Sequence, residues 1–468
     1  MHERKEKLLK VPEAFAASDE IRKRVENRAV ENPTLIEPGS PGIRFEPREG
    51  ILWRGIGDES GGAVESRGDT KALPRNSTLC FSFRTKHPSL LSGEVRARQG
   101  ADLQPGLRFC IVVDDRVIGA PMITASPWEG EDNALTGPAP RIKGHPPSDS
   151  VGLAETFIPS GTHFLWLFAP HDRDTGEIDW IELRATEMDQ NPRWSFALIG
   201  DTHLTHDDSC EWMNLKMGFH TTPIFLSTLS SLQAEEIKLV LHGGDITDRG
   251  TPEEFHLAGE CCDSVDIPIR GCLGNHDLYT ASFTRDALTG SLQRIFPNGN
   301  SSYVFEMLGL RFWVLDSENP GFGDSPPTPE ENGKPLIILR HYALRNRGGV
   351  SSAGFRLLDW GSRQKDEEEA LAHPDSFLFI NGNGHWTEMT RGDGGTHLQS
   401  PAVAEWPNAY LVFYVFSKHI RWELRQVHNR AFIAHSAIPE KRLSWMMSTG
   451  QGDLSGVSGF RHTSNERL

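Results

Sequence analysis

FALIGDTH, residues 196–203, is the stretch on which the fold turns. Four apolar residues in a row fit a short buried strand. A glycine then breaks the run immediately before an acid and an imidazole. The same grammar recurs four times downstream. KLVLHGGDITD (238–248), PIRGCLGNHD (268–277), LIILRH (336–341) and FLFINGNGH (377–385) each carry a largely apolar run into oxygen or nitrogen donors.

Around these runs the texture alternates between strand and helix, with a further strand expected at 312–315. The clearest helix start is at Thr251, where Pro252 suits the first turn and Glu254 completes a capping box. Alternation of this kind argues for an α/β core. In open α/β sheets, ligands bind beyond the carboxyl ends of the strands, so five such ends would bring Asp201, His203, Asp245, Asn275, His341 and His385 to one rim. Glycine before Asp201, Asp245, Asn275 and His385 lets the backbone turn sharply there.

These donors suit metal-assisted hydrolysis of a phosphate ester. That reaction needs a strong nucleophile at neutral pH and neutralisation of the charge developing on the phosphoryl oxygens. Two cations a few ångströms apart supply both, by acidifying a bound water and clamping the oxygens. Carboxylate, imidazole and amide donors accept Mn, Fe or Zn without choosing among them. Asp245 has lone pairs enough to bridge two ions.

In order, DxH (201–203), GDxxD (244–248), GNHD (274–277), the lone His341 and GH (384–385) resemble the calcineurin-like metallophosphoesterase superfamily, over roughly residues 193–430. DxH and GDxxD are weak signals singly; GNHD is more specific, and the ordered series is strong. The resemblance implies an α/β fold: a four-layer αββα core, here preceded by an N-terminal all-β sandwich-like domain. It implies a metal-dependent hydrolase of phosphoesters. Similarity to class III cyclic-nucleotide phosphodiesterase-like members puts diesters ahead of monoesters. It gives Asp201 and His203 to a first metal, makes Asp245 the bridge, and gives Asn275, His341 and His385 to a second. His276 would stabilise the transition state or protonate the leaving oxygen, with Asp248 and Asp277 orienting ligands. Purple acid phosphatases carry a Tyr where Asp248 stands, which disfavours a charge-transfer iron site.

One departure opens a second reading. The family's last motif is usually GHxH, and its second His completes the first metal site. Here Thr387 falls in that place, while Glu388 and His397 are out of register. The chain is therefore either a hydrolase using a metal-bound hydroxide at a dinuclear site, or a catalytically weak or inactive binding protein on the same scaffold. The path from Asp316 to His341 is also short for the helix many relatives carry there.

Outward from the motifs, the domains are expected at 1–50 (charged segment and Pro/Gly linker, with a surface helix near 19–30), 51–190 (β-sandwich), 191–437 (catalytic) and 438–468 (tail). Short apolar runs at 79–83, 107–113, 117–123, 163–169 and 178–185 carry the sandwich, with a hairpin at Asp114 and Asp115. Trp53, Trp128, Trp166 and Trp180 are expected to fill its core or edges, with a stacking platform for a ligand as the alternative. That domain would bind a ligand, or brace the catalytic one by an intramolecular contact. A formal net charge of -16 argues against a grip on nucleic acid. Six scattered cysteines without a CxxC pair, no membrane-length apolar run and no evident signal peptide fit a reducing, cytoplasmic setting; the family resemblance implies a small-molecule phosphoester substrate.

Overall fold

The five strand-to-donor segments lie in two sheets of one compact unit in the computed structural model. The structure describes residues 13–31, 33–56, 62–66, 72–73, 76–99, 107–108, 110–119, 122–123, 150–169, 176–188, 190–206, 218–280, 285–316, 328–343, 364–385, 387–392, 395–405, 408–436 and 458–462. Trp128, Cys210, Trp386 and most of the expected tail lie outside them, as do 207–217 and 317–327 of the loops beside the motifs. The chain divides into two units, one built on Pro192–Trp422 and the other on Val11–Asn191 with Glu423–Ser458.

In the first unit, β1 (Trp194–Ile199), β2 (Leu239–His242) and β3 (Ile269–Gly271) run parallel in one sheet. Helices α1 (Gly218–Ala234) and α2 (Pro252–Cys262) lie between them in sequence. The α2 start is the expected capping box: Thr251 Oγ1 accepts from the Glu254 N–H, and the Glu254 carboxylate accepts from the Thr251 N–H. The second sheet opens with the antiparallel pair β4 (Tyr303–Met307) and β5 (Leu310–Val314). Parallel strands β6 (Leu336–Leu339) and β7 (Ser376–Asn381) follow, after which β8 (Glu388–Gly392) pairs antiparallel with β9 (Gly395–Gln399), itself parallel to β7. β10 (Ala409–Val415) returns antiparallel to β1.

Aromatic packing joins the two sheets. Phe196 of β1 stacks on Phe413 of β10 at 4.5 Å and meets Phe312 of β5 edge-on at 5.6 Å. On the other face of the second sheet, Trp313, Leu336, Ile338 and Phe379 pack with Ala370 of helix α3 (Gln364–Ala372). Alternate residues of β5 thus face opposite ways, as the two-residue period of a strand requires. Full burial on both faces explains why these strands read as unbroken apolar runs.

In the second unit, strands Ile51–Arg54, Ser77–Thr85, Gly161–Ala169, Cys110–Val113 and Arg116–Gly119 pair antiparallel in that order. A second set joins Ser150–Ile158, Ser89–Gln99, Gly176–Glu187 and Ile43–Phe45. Both sets feed one core, with Leu79, Phe81 and Phe83 from the first and Leu91, Val95, Ile181 and Leu183 from the second. The hairpin turns at Asp114, at φ 57°. Trp53 and Trp166 are fully buried, as core packing requires. The helix expected near 19–30 runs Glu13–Ala29 and is more than a surface helix. Phe15, Ile21 and Val25 are buried, and Phe15 meets Phe432 edge-on at 5.6 Å. Its buried stripe is narrow and interrupted by charge, which hides it in the sequence. Among the described residues no helix is long and apolar enough to cross a membrane.

Candidate metal centre

Each chemical side chain follows closely on the carboxyl end of a strand: Asp201 and His203 after β1, Asp245 and Asp248 after β2, Asn275 to Asp277 after β3, His341 after β6, His385 after β7. Interlocked loops hold them there. The Asp201 N–H donates to the Gly244 carbonyl at 3.1 Å, and the His203 N–H to the Asp245 carbonyl at 3.0 Å. Asp277, fully buried, accepts from the Thr247 N–H and hydroxyl, both at 2.8 Å, and from the Gly274 N–H at 2.9 Å. It thereby ties the β2 and β3 loops together.

The backbone is strained where the donors are. Asp201, His203, Asp245, Asn383 and His385 all have positive φ, between 45° and 65°. For residues with a Cβ this conformation costs about 1–2 kcal/mol each, and such strain gathers at functional sites. The turning is thus done mainly by the donor residues, with the neighbouring glycines making room. A Cβ on Gly274 would lie 2.2 Å from Asp245 Oδ1, and one on Gly244, itself at φ +93°, would lie 2.5 Å from His341 Nδ1.

Three imidazoles share one arrangement, in which Nδ1 meets an acceptor and Nε2 faces other donors. His341 Nδ1 is 2.8 Å from the Gly243 carbonyl, which can only accept, so Nδ1 carries the proton. Its Nε2 is 3.4 Å from Asp245 Oδ1 and 3.2 Å from Asn275 Oδ1. His203 Nδ1 is 3.3 Å from Asp248 Oδ1, and its Nε2 is 3.6 Å from Asp245 Oδ2. His385 Nδ1 bonds to the Glu405 carboxylate, and its Nε2 is 3.3 Å from both Asp201 Oδ1 and His203 Nε2. Ligand atoms of Asp201, His203, Asp245 and His385 all lie within 4.8 Å of one another. Carboxylate oxygens and imidazole lone pairs converging at this range fit a cation. Acceptors on the far ring nitrogens are what fix metal-binding tautomers.

Electrostatics point the same way. Burial disfavours a charged His385, yet the Glu405 and Asp201 carboxylates outweigh it and raise the pKa to about 10. The site therefore draws positive charge to this imidazole. Burial also opposes charge on Asp245, but His341 and His276 hold its pKa below the usual carboxylate range. Asp277 is pushed up to about 7, by burial first and then by Asp245.

A family model described as calcineurin-like phosphoesterase matches residues 195–381. This segment is similar to the calcineurin-like phosphoesterases. A 3',5'-cyclic-nucleotide phosphodiesterase from Nostoc sp. is 28% identical over 159 residues, covering 32% of this chain and 57% of that protein. The chain thus spans little more than half the length of that curated relative. Among solved structures, a dimetal phosphatase from Danio rerio matches at 14% identity with a TM-score of 0.40, over 50% of this chain and 97% of that one. A purple acid phosphatase from yellow lupin matches at 13% identity with a TM-score of 0.37, over 84% of this chain and 74% of that one.

In this unit the side chains named from the sequence come together, with one regrouping. His385 is expected with Asn275 and His341, but its contacts are with Asp201 and His203. The cause is the turn after β7. Asn383 at φ 65° bends the chain back, the Gly384 N–H donates to the Gly382 carbonyl at 2.8 Å, and the Asn383 N–H donates to both Asp201 carboxylate oxygens at 3.0 and 3.2 Å. Thr387 is buried, and its hydroxyl finds no hydrogen-bond partner among the described residues. His397 stacks on Phe379 at 4.4 Å, within the second sheet. His276 joins the group: Nδ1 is 2.7 Å from the Asp248 carbonyl, its N–H donates to Asp245 Oδ1 at 2.9 Å, and its ring lies edge-on to His203 at 4.5 Å.

Two participants were not expected. Tyr279 is exposed, packs against His276 at 4.3 Å, and accepts from Asn275 Nδ2 at 2.8 Å, which turns the Asn275 carbonyl oxygen toward His341. Its place two residues after the GNHD motif is a signal the sequence offers. Glu405 is the other. It is the one Asp, Glu, Lys or Arg between Asp393 and Lys418, a lone acid in an apolar stretch.

Proposed function

We propose that this protein hydrolyses phosphate esters, diesters ahead of monoesters, at a dinuclear metal centre. The observation that carries this is the convergence of three Nε2 atoms and two buried carboxylates, with every one of those rings held through Nδ1. Asp201, His203 and His385 would hold the first metal and Asn275 and His341 the second, with Asp245 offering one oxygen to each half. The motif is then read as Gly382-Asn383-Gly384-His385. His385 stands for the second His of the family pattern and Asn383 for the first, so the gap falls in the second half rather than at Thr387. When bound, the two cations supply Lewis acidity and neutralise phosphoryl charge. Mn, Fe and Zn all suit this donor set.

The chain's own groups do the rest. With Nδ1 of His276 committed to the Asp248 carbonyl, a proton given to the leaving oxygen comes from Nε2. Asp248 serves twice, holding His203 through its carboxylate and His276 through its carbonyl. The lean towards diesters draws on the Nostoc sp. relative, described as a cyclic-nucleotide phosphodiesterase. We read the first unit as the four-layer αββα catalytic core and the second as an accessory β-sandwich, on the strength of two sheets sharing one core.

The test is hydrolysis of bis(4-nitrophenyl) phosphate and 4-nitrophenyl phosphate with added manganese, wild type beside Asn275→Ala. Manganese-dependent turnover, faster on the diester and about 10²-fold lower in the variant, is expected. Equal rates for wild type and variant on both substrates would favour the binding-protein reading.

A further inference from the structure

We propose that Glu405 is a positioning residue for His385 and makes the Asp201–His203–His385 half of the centre its tighter half. The inference rests on the dinuclear reading above.

Glu405 is 2% exposed, and its carboxylate faces Nδ1 of His385. The loop that delivers it is pinned at several points. The Ser400 N–H donates to the Asn381 carbonyl at 2.7 Å, the Val403 N–H to the Gly200 carbonyl at 3.2 Å, and the Ala402 N–H to the His385 carbonyl at 3.4 Å. Buried Asn408, at φ 54°, donates from Nδ2 to the Val403 carbonyl at 3.0 Å and from its N–H to the Glu405 carbonyl at 2.6 Å. The carboxylate is thus carried by a loop fastened to the residue before Asp201 and to His385 itself. A buried carboxylate is costly unless it is matched by a charge or strong hydrogen bonds. Here it faces an imidazole whose other nitrogen looks into the centre.

The partners of the three imidazoles differ in a way that matters. His203 and His385 have carboxylates at Nδ1, whereas His341 has a neutral carbonyl. A carboxylate at Nδ1 fixes the ring and raises the basicity of Nε2 more than a carbonyl does. Both carboxylate-backed rings belong to the first half, and the second half has Asn383 in the place of an imidazole. The first half is therefore the stronger ligand set.

Calorimetric titration of the metal-free full chain with Mn²⁺ alone tests this. The wild type is expected to give two binding steps. In Glu405→Gln, which keeps shape and loses charge, the tighter step weakens by about 10- to 100-fold and the weaker step stays in place. Glu405→Asp recovers part of the loss. Unchanged steps in Glu405→Gln, or a change confined to the weaker step, would overturn the assignment while leaving two metals in place. No uptake by the wild type would overturn the dinuclear reading and this inference with it. If Glu405→Gln does not fold, ¹⁵N NMR of the zinc-loaded wild type decides. A retained proton on His385 Nδ1 supports the proposal, and a proton on Nε2 overturns it.

Discussion

Asp245→Asn is expected to lower turnover by about 10³-fold or more and to abolish one of the two manganese-binding steps. The two carboxylate oxygens of Asp245 face different halves of the centre, Oδ1 at 3.4 Å from His341 Nε2 and Oδ2 at 3.6 Å from His203 Nε2. An asparagine keeps one acceptor oxygen and puts an NH₂ group, which has no lone pair to offer, toward the other half. It also removes the negative charge that both cations would share. Little else need change. Asn tolerates the left-handed backbone that Asp245 adopts at φ 50°. Its carbonyl oxygen can still accept the His276 N–H, now 2.9 Å from Oδ1. The variant should fold with near wild-type circular dichroism, so a lost rate reports on chemistry. Steady-state hydrolysis and metal titration on the same preparation check both parts. Wild-type turnover in this variant would remove Asp245 from the bridging role.

A second contrast separates the two ways of reading the last motif. His385→Ala is expected to cut turnover by about 10²- to 10³-fold, whereas Thr387→Val should stay within a few-fold of wild type. His385 Nε2 lies 3.3 Å from Asp201 Oδ1 and from His203 Nε2, so its loss leaves an unfilled ligand position in the first half. Thr387 is buried, and its hydroxyl lacks a hydrogen-bond partner among the described residues. Valine preserves its shape and removes only that hydroxyl, a change that buried sites tolerate when no hydrogen bond is lost. Rates for the pair, measured side by side, decide the register. A crippled Thr387→Val with a healthy His385→Ala would restore the reading in which Thr387 occupies a ligand place.

The strands and the donors at their ends were legible because parallel, doubly buried strands are unbroken apolar runs, and because a strand end is where chemistry is carried. The α2 capping box was legible for the same local reason. The regrouping of His385 was not, because it depends on Asn383 taking a left-handed turn. That conformation is uncommon for a residue with a Cβ, and the family motif does not specify it. Glu405 escaped because it reaches the centre from a loop beyond β9, through tertiary contacts with Gly200 and His385 that have no sequence spacing of their own. Its isolation among apolar residues was the available clue. The helix Glu13–Ala29 escaped for the opposite reason: its charged majority masks the few side chains it buries.

Anomalous diffraction from crystals grown with manganese tests the central claim most directly. Two peaks are predicted, one bound by Asp201, His203 and His385 and the other by Asn275 and His341, with Asp245 between them. Crystals that bind no manganese there, or that bind it away from these side chains, would contradict the dinuclear centre.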